Sequence, residues 1–190
     1  MAVKTFTTGS VLTASDTNTY LANAGLVYVT GGSLTGNTVN VSNCFTSTYK
    51  DYRIIFDDIQ VNSTSGATSL NFYLRSGTTN TSAGFYYGNN YLTYAATPTS
   101  GTFGGVNNAM WNITYATTVS TQPASMVFDL LSPQLTLPTQ FIGHGIAPDS
   151  SRWGAGEHQA ATSFDGFSLQ VSTGSITMTG RYAVYGYRIA

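Results

Sequence analysis

The chain has 190 residues, a formal net charge of −1 and only 8% charged side chains, against about 25% in an average globular protein. Its seven basic residues are scattered too thinly to neutralise a run of phosphates, which excludes the electrostatic footprint of a nucleic-acid binder. No apolar segment approaches the ~20 residues of a membrane helix, and one core-forming domain with a short appendage is expected at this length.

Residues 2–10 are small and polar and read as extended; residues 1–10 lack the charged and apolar regions of a signal peptide, so none is expected. Thr13-Ala14-Ser15-Asp16 has the form of a capping box, with Asp in place of Glu or Gln. Leu12 stands ahead of it, Tyr20, Leu21 and Ala24 follow at helical spacing, and Gly25 can end the helix. About ten residues of helix are marginal alone in water. This one is expected to dock, either on its own domain or on another protein.

From Leu26 onward the pattern is one of strands. Residues 26–30 and 38–42 flank the turn-forming Gly31-Gly32-Ser33 and Gly36-Asn37. Tyr52-Arg53-Ile54-Ile55-Phe56 is β-branched and aromatic and reads as a central strand, with Tyr52, Ile54 and Phe56 on one face and Arg53, Ile55 and Asp57 on the other. Asp57-Asp58 reads as the strand's end, blunting an edge. Over residues 68–75, Leu70, Phe72 and Leu74 alternate with Ser69, Asn71 and Tyr73. Residues 77–84 read as a loop. Phe85-Tyr86-Tyr87 and Tyr91-Leu92-Thr93-Tyr94 around Gly88-Asn89-Asn90 suggest a hairpin, and residues 96–108 a long loop.

Residues 110–115, 125–131 (Met126, Phe128 and Leu130 on one side) and 139–147 read as strands, with Gly143 and Gly145 marking a bulge or close packing. Residues 148–156 read as a loop, and 167–171 and 175–179 as strands. The closing residues 181–189 share the character of the first central strand, so the two are expected in one sheet. About ten to twelve short strands separated by turn chemistry predict an all-β fold, a jelly-roll-like antiparallel sandwich over residues 26–190, behind an arm and short helix over residues 1–25.

Catalysis needs groups that titrate or attack, and the chain holds two histidines, one cysteine and a single glutamate, Glu157. His144 with Glu157 or His158 shows no metal-ligand spacing, and Glu157 and His158, adjacent in an extended chain, face opposite sides. Asp149, Glu157 and Asp165 could supply a carboxyl pair for glycoside hydrolysis beside Trp153, although loop carboxylates are more often solvated or capping. Cys44 has no cysteine to pair with and reads as a small buried hydrophobe. Neither a phosphate-binding loop nor a G-x-S-x-G elbow is present. No catalytic residue, metal or cofactor is assigned. One patch does concentrate chemistry: Asp149, Arg152, Trp153 and His158. An exposed Trp with hydrogen-bonding neighbours can anchor a protein interface or stack on a sugar; the blander alternative is a local Asp149–Arg152 pair with Trp153 packed beneath.

Lys4-Thr5-Phe6-Thr7-Thr8-Gly9-Ser10-Val11-Leu12-Thr13-Ala14-Ser15-Asp16-Thr17-Asn18-Thr19-Tyr20-Leu21 resembles the opening F-x-x-G-x-V-L-T-A-x-x-x-N-x-Y-L of many tailed-bacteriophage virion proteins. The stretch from Phe164-Asp165-Gly166-Phe167-Ser168-Leu169 to Tyr185-Gly186-Tyr187-Arg188 is similar to the G-F-x-L … Y-G-Y ending of small β-rich phage structural proteins. The resemblance covers the two ends of the chain. It implies a non-enzymatic structural protein of the virion, assembled in the host cytoplasm, that attaches to capsid or tail proteins through its arm, with Phe6, Val11, Leu12, Tyr20 and Leu21 buried there. It also implies an outward-facing domain, commonly a homotrimer, that could contact a host-surface glycan. Without a heptad, collagen-like or triple-β-helix shaft, a compact capsid-decoration or tail-associated knob fits better than a long fibre. A stand-alone carbohydrate-binding module is the alternative.

Overall fold

The computed structural model describes residues 7–11, 13, 25–63, 68–116, 122–172 and 174–188. Among these the regular structure is entirely antiparallel β, in thirteen strands. Eight form one sheet in the order β1 (Leu26–Gly36), β13 (Met178–Tyr187), β3 (Asp51–Val61), β9 (Ala124–Leu131), β10 (Thr139–Ala147), β11 (Ser150–His158), β6 (Phe85–Thr93) and β7 (Ser100–Asn108). The smaller sheet runs β2 (Thr38–Val41), β12 (Gly166–Val171) and β4 (Thr68–Ser76), and the far edge of β4 is shared between β5 (Thr79–Asn80) and β8 (Trp111–Ala116). The helix expected over residues 13–24 lies outside the described residues.

Hydrophobic alternation decides which faces meet. Tyr52, Ile54 and Phe56 of β3 and Met126, Phe128 and Leu130 of β9 are buried from the larger sheet, and Leu70, Phe72 and Leu74 of β4 from the smaller. Phe72 is the hub of the layer between them. Its ring stacks on Phe167 at 5.2 Å and on Trp111 at 5.6 Å, and meets Phe128 edge-on at 5.0 Å across the sandwich. Burying each such side chain is worth about 1.5–3 kcal/mol, and each well-oriented ring pair about 0.5–1.5 kcal/mol more. The closing strand lies directly beside the early central one, with Val184 opposite Ile54 and Tyr182 opposite Phe56, as the shared character of the two segments predicts. Cys44 is buried, and burial pushes its thiol up to about 12.

Four expectations about turns are corrected, and in three of them glycines turn out to make room for a neighbour. Gly31-Gly32 is not a turn but the middle of β1, where a Cβ on Gly32 would stand 3.2 Å from the Tyr182 ring. Gly88-Asn89-Asn90 is not a hairpin but the middle of β6. Residues 100–108, expected to be loop, form β7, whose Gly101 and Gly105 lie opposite Tyr91 and Tyr87 and beneath their rings. Residues 148–156 are a turn at Pro148-Asp149 followed by β11, where a side chain at Gly156 would meet the Phe141 ring and the Tyr86 carbonyl at 2.5 Å. Gly143 and Gly145 mark close packing rather than a bulge, since the register between β9 and β10 runs unbroken through both. Asp57-Asp58 does not end β3. It forms a bulge inside it, with Asp58 at φ 55°, and β3 is flanked on both edges by β13 and β9.

Candidate functional site

The four residues of the expected patch do not converge. β11 alternates, so Trp153 points to the outer face of the larger sheet, 45% exposed and flanked in register by His144 and Asn90. Arg152 points to the opposite face, where its guanidinium carbon lies 5.3 Å from the Tyr91 ring centre and 5.4 Å from that of Phe103. Burial there pulls the guanidinium below its ordinary range, against the charge of Asp149. His158 closes the strand in the interior, its ring between Phe85 and Phe164, with Nε2 3.0 Å from the Ala83 carbonyl and Nδ1 3.4 Å from that of Ala160. It is an anchor for two loops. The period of two separates what the sequence lists side by side. Of the expected attachment residues, Val11 is 82% exposed, and Phe6, Leu12, Tyr20 and Leu21 lie outside the described residues.

What the sequence does not reveal is the company Trp153 keeps. Ile142 and Ile146 of β10 share its face at 60% and 56% exposed, and Leu92 of β6, in register with Ser151, is 41% exposed. His144 sits between the two isoleucines, with Val127 of β9 on its other side and Ile55 of β3 beyond. Apolar side chains therefore form a stripe across five strands of this face, interrupted by His144 and Ser151. Alternation alone could have found it, because Ile142, His144 and Ile146 are the outward positions of a strand whose inward ones are Phe141, Gly143 and Ala147. Exposed apolar side chains grouped on one face, rimmed by polar residues, can mark a contact site.

One charged cluster borders the stripe. Arg53 grips Asp129 bidentately at 2.8 and 2.9 Å, and the Tyr187 hydroxyl donates to the same carboxylate at 2.6 Å. Burial alone would push Asp129 up, but the hydrogen bonds from Arg53 and Tyr187 and the Arg53 charge outweigh it and hold the carboxyl below its usual range. Tyr187 is pushed up to about 12 by burial and by that hydrogen bond. A lowered carboxyl contributes stability at neutral pH that is lost as pH falls through the carboxylate range. A raised phenol contributes stability present below about 10 that is lost as pH climbs towards about 12. In thermal unfolding followed from pH 2 to 12, Asp129→Asn is expected to flatten the acid limb and Tyr187→Phe the alkaline one, each relative to wild type. Unchanged limbs in both variants would remove the cluster from the account.

Among the described residues no group of three His, Cys, Asp or Glu side chains is placed to hold a metal. Glu157 faces outward opposite Gln140 and Tyr86, whereas His158 faces inward, so the two cannot act together. Comparison of the chain with protein-family models, with curated proteins and with solved structures finds no match.

Proposed function

We propose that this chain is a structural subunit of a tailed-phage virion: a compact surface knob of the capsid-decoration or tail-associated kind, attached through residues 1–25, whose sandwich domain over residues 26–190 associates with further copies of itself. The observation that carries this reading is the apolar stripe of Ile142, Ile146, Trp153 and Leu92 on the outer face of the larger sheet. Its occupant in this reading is a second copy of the chain. A net charge of −1 puts little repulsion between copies, and the neighbouring Asn90, Ser125 and Ser151 can extend the buried area towards the ~800 Å² per partner of a stable interface. The resemblance of residues 4–21 and 164–188 to virion proteins supplies the setting, and with it the homotrimer. The jelly-roll-like arrangement belongs to the same reading.

Imaging tests it. Particles assembled with the chain should show repeated knobs of its density, contacting one another through β10 and β11, and should lose them when residues 1–25 are deleted. Density that never joins a particle would overturn the proposal. A carbohydrate-binding module is the second reading, favoured by the exposed Trp153 ring beside Asn90 and His144. Saturable binding on a glycan array, lost in Trp153→Ala, would support it over assembly.

A further inference from the structure

At one end of the sandwich, away from Trp153, the segment between β5 and β6, the end of β7 and the segment after β11 enclose an open pocket of about 470 Å³. That lies within the ~300–1,000 Å³ of small-ligand sites. Its walls include Thr79, Asn80, Ser82, Asn107 and Thr162, with Phe164, almost fully buried, beneath. No Asp, Glu, Lys or Arg is among its lining residues, and its one imidazole, that of His158, is turned to the Ala83 and Ala160 carbonyls.

The two asparagines are already oriented. The Asn80 amide oxygen accepts from Arg75 at 2.8 Å and from Ser168 at 2.7 Å, and the Asn107 amide oxygen accepts from the Gly84 amide at 3.0 Å. With both oxygens tied to the protein, each Nδ2 remains as a donor for a ligand. The walls are also fixed in place. Thr81 N–H donates to the Leu74 carbonyl at 2.9 Å, Gln159 N–H to the Gly84 carbonyl at 3.1 Å, Thr162 N–H to the Ala160 carbonyl at 2.9 Å and Phe164 N–H to the Pro133 carbonyl at 2.8 Å. His158 pins the Ala83 carbonyl from below. Oriented amide donors and hydroxyls that both give and accept, with no charged carboxylate, ammonium or guanidinium among them, are complementary to one chemical class: a neutral, polyhydroxylated ring.

We propose that this pocket is a binding site for a neutral sugar residue. The site is independent of the assembly face and of Trp153. The test is titration of the isotopically labelled chain with D-glucose, D-galactose and N-acetyl-D-glucosamine, with D-glucuronate as the anionic control, followed by backbone amide shifts. At least one neutral sugar should give saturable shifts confined to residues 79–84, 107 and 159–164. The shifts should persist in Trp153→Ala and vanish in Thr162→Trp and in Ser82→Trp, two exposed positions where the indole fills the pocket and whose spectra elsewhere report retained folding. No saturable shift with any of the three sugars, tighter binding of glucuronate, or binding that depends on Trp153 and survives both pocket-filling variants would overturn the assignment.

Discussion

Trp111→Ala is expected to destabilise the domain by about 3–5 kcal/mol, a loss of roughly 6–20 °C in Tm at 2–4 °C per kcal/mol for a chain of this size. Trp111 is fully buried, and its ring meets Phe141 at 4.3 Å, Phe85 at 5.1 Å and Phe72 at 5.6 Å. It therefore joins β10 and β6 of the larger sheet to β4 of the smaller one. The strand that carries it, β8, has six residues and among the described residues pairs only with β4, so the ring is most of what fastens that corner. Both sheets are held by their ladders and cannot close over the space an alanine leaves. The indole Nε1 has no hydrogen-bond partner among the described residues, so Trp111→Phe removes a buried unsatisfied donor along with some volume and is expected to cost clearly less than the alanine variant. Urea unfolding measures both. A loss below about 1 kcal/mol for the alanine variant would mean that the corner packs without its centrepiece.

Gly166→Ala is the second large effect. Gly166 opens β12, buried between β2 and β4, and a Cβ there would overlap the Val41 carbonyl oxygen and approach the Ser42 Cα at 2.9 Å. These are backbone atoms, which cannot rotate aside as a side chain can. Accommodation has to push β2, four residues long and among the described residues an edge strand paired only with β12, away from its neighbour. The expected cost is at or above the top of the ~1–3 kcal/mol range for overpacking. Gly88→Ala provides the contrast: nothing stands within 4 Å of a Cβ there, so its effect should stay within about 0.5 kcal/mol. Equal stabilities for the two variants would show that the β2 edge yields freely.

Apolar alternation made much of the core legible in the sequence. Tyr52, Ile54 and Phe56, then Leu70, Phe72 and Leu74, then Met126, Phe128 and Leu130 are each assigned to a single face, and all nine are buried. The kinship of residues 52–56 with residues 181–189 placed β13 in the same sheet as β3. Glycine was what misled. In most chains Gly-rich, Thr-rich stretches are loops, but here Gly101 and Gly105 are the places on β7 where the rings of Tyr91 and Tyr87 lie, and Gly154 is where the Asn89 side chain crosses. That complementarity is between strands distant in sequence, so no local window contains it.

The expected patch failed for a related reason. Once residues 148–156 are a turn and a strand rather than a loop, Arg152 and Trp153 must part, and Trp153 joins Ile142 and Ile146 instead. The pocket walls were illegible because Asn107 and Thr162 are far apart in the chain and ordinary in kind.

Sedimentation equilibrium of the full chain, wild type against the Ile142→Asp/Trp153→Asp double variant, bears most directly on the proposal that the outer face of the larger sheet is an assembly surface. Both positions are exposed, so folding should survive the two carboxylates, and an unchanged unfolding midpoint would verify it. The account predicts a wild-type mass that is a whole-number multiple of the chain's 20.2 kDa, at least twice it, and a double variant at the mass of one chain. A wild-type protein that sediments as a single chain at every concentration, or a double variant that stays assembled, would contradict it.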